Sequence, residues 1–190
     1  MNLQKINWKI FFKDPASAKP DDFFRVFNTW IPDSPEIFID VADYQHVHDG
    51  PITLLVGHYA DFALDDSDRK RGLLYSRKRV EEGSNHEKLK RSLAATLKGA
   101  ERLEKDPVFG GKISFKTSEL QLIVNDRALA PNTSQTFQSF KPELDKFCIS
   151  IFGMGGYSLE HLSNPKQRFS IRIKSQKDLG VSALLANIAS

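Results

Sequence analysis

Gly72-Leu-Leu-Tyr-Ser-Arg-Lys-Arg-Val80, followed by Ser84-Asn-His-Glu87 and then by Leu89, Leu93, Leu97, Ala100 and Leu103, decides the fold class. Gly72 to Val80 reads as a strand, and the polar run Asp65-Asp66-Ser67-Asp68-Arg69-Lys70 before it reads as a hairpin turn from an earlier strand. Ser84-x-x-Glu87 is a capping box, and the apolar residues behind it recur at helical spacing as far as Asp106-Pro107. Strand, strand and then helix is the order of an α+β domain.

Working upstream, Ile52 to Leu64 reads as one long strand with Ile52, Leu54, Val56, Ala60, Phe62 and Leu64 on one face and His58 in the same row. Glu36 to Ala42 is a nearly continuous apolar run, which predicts a central strand covered on both faces. Pro20-Asp21-Asp22 opens a helix with an aromatic face of Phe23, Val26, Phe27, Trp30 and Ile31, ended by Pro32 and Pro35. From Ile6 to Phe12, Ile6, Trp8, Ile10 and Phe12 alternate with Asn7, Lys9 and Phe11, the pattern of a half-buried strand.

Downstream, residues 112–117 and 120–125 read as a hairpin through Ser118-Glu119. A helical segment with Phe137, Phe140, Leu144, Phe147 and Ile151 follows, divided by Pro142 or reopened at it, and Gly153-Met154-Gly155-Gly156 stops it. Residues 157–162 and 168–174 alternate as a strand pair, and Asp178 caps a short last helix. The expectation is a single α+β domain over residues 1–190, with an antiparallel or mixed sheet and about four packed helices. Strands, helix and strands occur twice, so the domain reads as two related halves divided near residue 107.

With 190 residues, 14 Phe and 2 Trp, the chain has the material for a sizeable core, and a chain of this length buries about 70% of its unfolded surface. Its single cysteine, Cys148, excludes an internal disulfide and any Cys-based zinc site. That usage suits a reducing, cytoplasmic setting. No window reaches the roughly 18 apolar residues of a membrane span, and Lys5 and Lys9 stand where a signal-peptide core would be, so no membrane partner is expected. The net charge of +3 hides opposed blocks: residues 26–68 carry nine acids and no Lys or Arg, and residues 69–105 carry twelve basic residues against five acids. Such blocks either make faces for charged partners or neutralise each other across the fold, and the second reading weighs more.

The densest chemical constellation is Asp40, Asp43, His46, His48, Asp49, His58 and Asp61. His46-x-His48 in an extended chain points both imidazoles to one side, as metal ligation requires, and Asp43 or Asp49 completes a mixed shell. A lone His-x-His is a weak signal, and a polar exposed loop accounts for it as well. Asp40 and His58 interrupt strands that otherwise look buried, so Asp40 needs a partner and His58 is one candidate. That pair is either an oriented acid and base or a structural tie between strands. Cys148 sits at a core position, and no serine occupies a Gly-x-Ser-x-Gly elbow, which leaves nucleophilic catalysis unsupported.

The basic residues of 69–105, with Tyr75 as a stacking residue, are a candidate nucleic-acid surface without a nucleic-acid motif. A solvated face weighs more. Asn125-Asp126-Arg127 with Ala130-Pro131-Asn132-Thr133 is a further candidate ligand edge, although a turn and helix capping by Asn132 or Thr133 explain most of it.

Ile39-Asp-Val-Ala-Asp-Tyr44, His46, Asp49-Gly-Pro51, Val56-Gly-His58, Gly72-Leu-Leu-Tyr75, Asn125-Asp126-Arg127 and Ala130-Pro-Asn-Thr133 together resemble a family of uncharacterised bacterial proteins of similar length. The resemblance covers most of the chain. In the family's pattern proline stands in the place of His48, a departure that weakens the His-x-His reading. The resemblance implies one coherent domain and brings no activity, substrate or cofactor.

The leading expectation is a non-catalytic binding or protein-interaction domain. Its polar edge would be formed by Asp43, Tyr44, His46, His58 and Tyr75, with a small-molecule ligand or a second copy of the chain as partner. The alternative is a hydrolase-like enzyme in which Asp40 orients His58 as general base and Asp43 or His46 holds a divalent metal or the substrate; His46, His48 and Asp49 are the metal candidates. Nucleic-acid binding through residues 69–105 is the third reading.

Overall fold

The computed structural model describes residues 1–47 and 49–189. Eight strands form one sheet in which every pairing is antiparallel: β1 (Ile6–Phe12), β2 (Phe38–Asp43), β3 (Pro51–Gly57), β4 (Ala60–Asp65), β5 (Gly72–Arg77), β6 (Phe115–Val124), β7 (Tyr157–His161) and β8 (Phe169–Ser175). Their spatial order is β2-β3-β4-β5-β1-β6-β8-β7. Four helices accompany them: α1 (Pro20–Asp33), α2 (Asn85–Lys105), α3 (Ser134–Phe152) and α4 (Val181–Ala189). This is the expected α+β class. The chain runs strand, helix, antiparallel meander, helix twice, and the leading strands of the two runs, β1 and β6, lie side by side at the middle of the sheet. One apolar cluster takes residues from both runs, including Trp8, Phe62, Leu97, Leu122, Phe147 and Ile171, so no core boundary falls near residue 107.

The helices cover one face of the sheet. Trp8, fully buried, donates from Nε1 to Ser92 Oγ of α2 at 3.0 Å and lies 6.0 Å from the Phe147 ring of α3. Trp30 of α1 meets Phe38 and Phe62 from β2 and β4. The capping box at Ser84 and Glu87 is formed in both directions, and it starts a helix whose buried row contains Leu89, Leu93, Leu97, Ala100 and Leu103. Gly99 belongs to that row because a β-carbon there would stand 2.6 Å from Cε1 of Phe62. Phe62 is itself hemmed in by Trp30, Phe38 and Tyr75. Gly99→Val is therefore expected to lower stability by about 2 kcal/mol in urea unfolding, because overpacking outweighs the better helix propensity.

Several expectations are corrected. Residues 52–64 are two strands, because the chain doubles back at Gly57, where a β-carbon would lie 2.1 Å from the Ala60 carbonyl oxygen. The expected single row is split by this turn: Leu55 pairs with Phe62 toward the helices, whereas Leu54 pairs with Ala63 on the opposite face. Residues 36–42 supply an edge strand, β2, and not a central one; Ile39 and Asp40 are exposed on it. Residues 115–124 form one continuous strand, because Ser118-Glu119 falls in a bulge at the register shift opposite Ile10 and Phe11 and makes no turn. β5 stops at Arg77, short of Val80.

Pro142 lies inside an undivided α3. It and Gln138, whose carbonyl loses its helical partner, are both exposed, so water can satisfy that carbonyl. Asp178 does not cap α4: its carboxylate accepts from Thr117 N (3.0 Å) and Thr117 Oγ1 (2.5 Å) and pairs with Lys13 (2.8 Å). Burial raises the pKa of Asp178, but those bonds outweigh it and hold the carboxyl below its usual range. Among the described residues no helix is long and apolar enough to cross a membrane.

Candidate ligand-binding cleft

The face of the sheet away from the helices has a small apolar cluster, Ala63, Leu74 and Ile123 with Leu54 against it, set among charged and amide side chains. All seven residues of β1 are buried, so the row Asn7, Lys9, Phe11 is not the solvent row expected of it. Lys9 is 2% exposed and so is Asp65 of β4. The lysine has to cross β5 to reach the aspartate, and it passes over Gly72, where a β-carbon would come within 3.1 Å of Lys9 Cε. Its ammonium lies 2.5 Å from Asp65 Oδ1 and donates to the Ser67 carbonyl at 3.2 Å. Ser67 completes the carboxylate's shell with its hydroxyl (3.0 Å) and its backbone N–H (3.2 Å). Two of the three ammonium hydrogens are thus used.

Lys9 is also the cross-strand partner of Gln121 on β6, and Gln121 in turn pairs with Arg172 on β8. Gln121 is 7% exposed. Among the described residues its amide has no hydrogen-bond partner. Lys9, Gln121, Leu74, Ile123 and Ser170 form the floor of a cleft of about 370 Å³. This is the small end of the ~300–1,000 Å³ range of ligand sites.

Loops make the walls. On one side stand Asp49-Gly50-Pro51 and Ser67-Asp68, and on the other Arg127 and Lys166-Gln167-Arg168. Asp68 and Arg69 have φ of 59° and 55°, a left-handed turn held by Asp49 Oδ1, which accepts the Asp68 N–H at 3.1 Å. Gln167 Nε2 donates to Asp68 Oδ1 at 3.1 Å and so joins the two walls. The far wall is fastened by Asn132, whose Nδ2 donates to the carbonyls of Leu162 (2.9 Å) and Asn164 (2.8 Å). His161 contacts Asn132 Oδ1 at 2.7 Å and stacks on Phe137, and burial lowers its pKa, which favours the neutral ring. Arg127 Nη2 donates to the Lys166 carbonyl at 2.8 Å.

Beyond the cleft the same face carries an ionic lattice. Glu119 meets Lys70 (2.9 Å), Lys116 (3.0 Å) and Arg172 (3.2 Å), and Glu160 meets Lys174 (3.0 Å). Burial raises the Glu119 pKa, but the lysine hydrogen bonds and charges outweigh it and hold the carboxyl below its ordinary value. The Lys9 and Lys70 ammonium groups lie 5.6 and 5.5 Å from the centre of the Phe11 ring.

Most of the residues singled out from sequence lie away from this cleft, and they do not all come together in one place. Tyr75 faces the helices, 5.2 Å from Phe62, and burial pushes its hydroxyl up to about 12. His58 is exposed in the turn between β3 and β4, edge-on to Tyr59. Asp40 accepts the N–H of its own neighbour Val41 at 2.8 Å and has no bond to His58, so the acid and base pair is not formed. Asp43 turns to Gln45, accepting its N–H at 2.8 Å; Tyr44 and His46 are exposed beside it. His48 lies outside the described residues. Among the described residues no three His, Cys, Asp or Glu side chains come together as a metal shell, so His46 and Asp49 are not assembled as ligands.

The basic segment is dispersed. Lys70 joins Glu119, Lys88 is buried against Asn2 and the Leu3 carbonyl, Arg77 and Arg91 share Glu81, and Arg102 lies over Trp30. Cys148 is buried, and its thiol is pushed up to about 12 by burial, then by Asp145.

Asp49 and Arg127 are the two sequence candidates that line the cleft. Thr133 caps α3 by accepting the Thr136 N–H. Lys9, Asp65, Gln121, Lys166 and Arg168 were missed. For Lys9 a signal existed: Phe11 occupies the same alternate row, which a solvent face would not favour. No family model matches the chain, and neither a curated protein nor a solved structure matches it.

Proposed function

We propose that this is a non-catalytic binding domain of a bacterial cytoplasm, and that a small polar molecule occupies the cleft on the helix-free face of the sheet. The observation that carries the reading is the cleft floor. There Gln121 lines the cleft with an amide that has no partner among the described residues, beside a buried ammonium with a donor to spare. A ligand with matching groups can bond this amide and the spare donor together in place of separate waters. Fastened walls add to this, since a site that is already shaped loses little entropy when it is filled. The exposed, uncoupled positions of Asp40 and His58 favour binding over hydrolysis.

Native mass spectra of untagged protein, followed by denaturing spectra of the same sample, test the proposal. The expected result is a small molecule released on denaturation and lost from a Gln121→Ala preparation. A ligand that survives Gln121→Ala but disappears with His46→Ala or His58→Ala would place the site at the β2–β4 edge and overturn the assignment. The same spectra read the subunit mass, and so test the homodimer expectation.

A further inference from the structure

We propose that the cleft takes an organic oxyanion, its carboxylate or phosphoryl group held by Arg127, Lys166 and Arg168 and its polar body resting on Gln121 and Lys9. The inference rests on the binding reading above and adds the charge of the ligand. Most cations drawn over this face of the sheet have a carboxylate within 4 Å: Lys9 has Asp65, Lys70 and Lys116 have Glu119, Lys78 has Asp61, and Lys174 has Glu160. Arg127, Lys166 and Arg168 have none among the described residues, and all three line one wall of the cleft.

The lining carries Lys9, Arg127, Lys166 and Arg168 against Asp49, Asp65 and Asp68, a surplus of one positive charge, with the three unpaired cations gathered on one wall. Two of them are guanidinium groups, whose planar fork matches the paired oxygens of a carboxylate or phosphoryl group. Arg127 already spends one N–H on the Lys166 carbonyl, which limits its freedom before a ligand arrives. The opposite wall carries Asp49 and Asp68, so an anion is oriented: its charge goes to the arginine wall and its hydrogen-bond donors to the aspartates. On the floor, the Gln121 amide can both donate and accept.

Calorimetric titration of the intact chain at low ionic strength tests this with citrate, inorganic phosphate and the neutral polyol glycerol as probes. Saturable binding of citrate or phosphate is expected, weakening with added KCl as charge screening requires. Arg127→Ala with Arg168→Ala should reduce the affinity at least tenfold, and Lys98→Ala, on the exposed side of α2, should leave it within twofold. Preference for citrate identifies a carboxylate ligand and preference for phosphate a phosphoryl one.

No saturation by either anion at about 10 mM, ten times the ~1 mM dissociation constant of a weak site, overturns the proposal. Binding that ignores KCl and survives the double arginine variant overturns it too, whether or not that variant is fully stable, because the salt dependence is read on the unaltered chain. Glycerol binding that Gln121→Ala abolishes, with no anion binding, removes the charge inference and leaves the binding reading standing. If no probe binds and the native spectra show no retained molecule, both fail.

Discussion

Asp65→Ala is expected to destabilise the protein by about 3–5 kcal/mol, the cost of leaving a buried charge without its partner. Lys9 is 2% exposed and cannot swing to solvent without leaving the channel over Gly72. Lys9→Met should cost a comparable amount, because Asp65 then keeps only the two bonds from Ser67. The double variant Lys9→Met, Asp65→Ala should recover much of the loss, since no unpaired charge stays behind. Urea unfolding of the four proteins gives the coupling energy directly. Simple addition of the two losses would show that the pair is not a unit. A double variant as stable as the original would show that the fold does not need these charges, and would leave ligand recognition as their role.

The second large effect falls on Gly72. A β-carbon there would lie 2.5 Å from the Ile10 carbonyl oxygen as well as 3.1 Å from Lys9 Cε. Gly72 and Phe11 are register partners, so the clash falls between β5 and β1 in the middle of the sheet, where neither strand can move freely. Gly72→Ala is expected to cost about 3 kcal/mol or more. The nearest obstacle is backbone, so shortening the lysine in a Lys9→Ala background should rescue little of it. Full rescue would mean that room for the lysine, and not close strand approach, is what the glycine provides.

Much of the fold was legible because long helices and hairpin turns carry strong local signals. The capping box at Ser84, Pro20 at the first turn of α1 and the glycines after Phe152 each mark an element end with a backbone requirement. The errors have physical causes. Periodicity could not find the Gly57–Ala60 turn because β3 and β4 carry apolar residues on both faces, so an even-numbered row looked continuous although Leu54 and Phe62 face opposite ways. Glu36 to Ala42 looked central because it is apolar, yet Ile39 is 59% exposed on an edge strand.

The cleft was far less legible than the fold. It assembles Lys9, Asp65, Gln121 and Arg168 from four places in the chain, and only pairing register brings them together. The histidines attracted notice in sequence because His is chemically versatile. Lys9 and Gln121 did not, because an isolated Lys or Gln in an alternating strand usually marks the solvent side.

The most direct test of the binding account is a backbone amide NMR map of the intact chain, recorded while a defined library of small polar metabolites is titrated in. The account predicts shifts concentrated at Asp65 to Asp68, Gln121, Ile123, Arg127 and Lys166 to Ser170. Shifts confined to Asp40 to Tyr59, or spread along the basic segment 69–105, would contradict it.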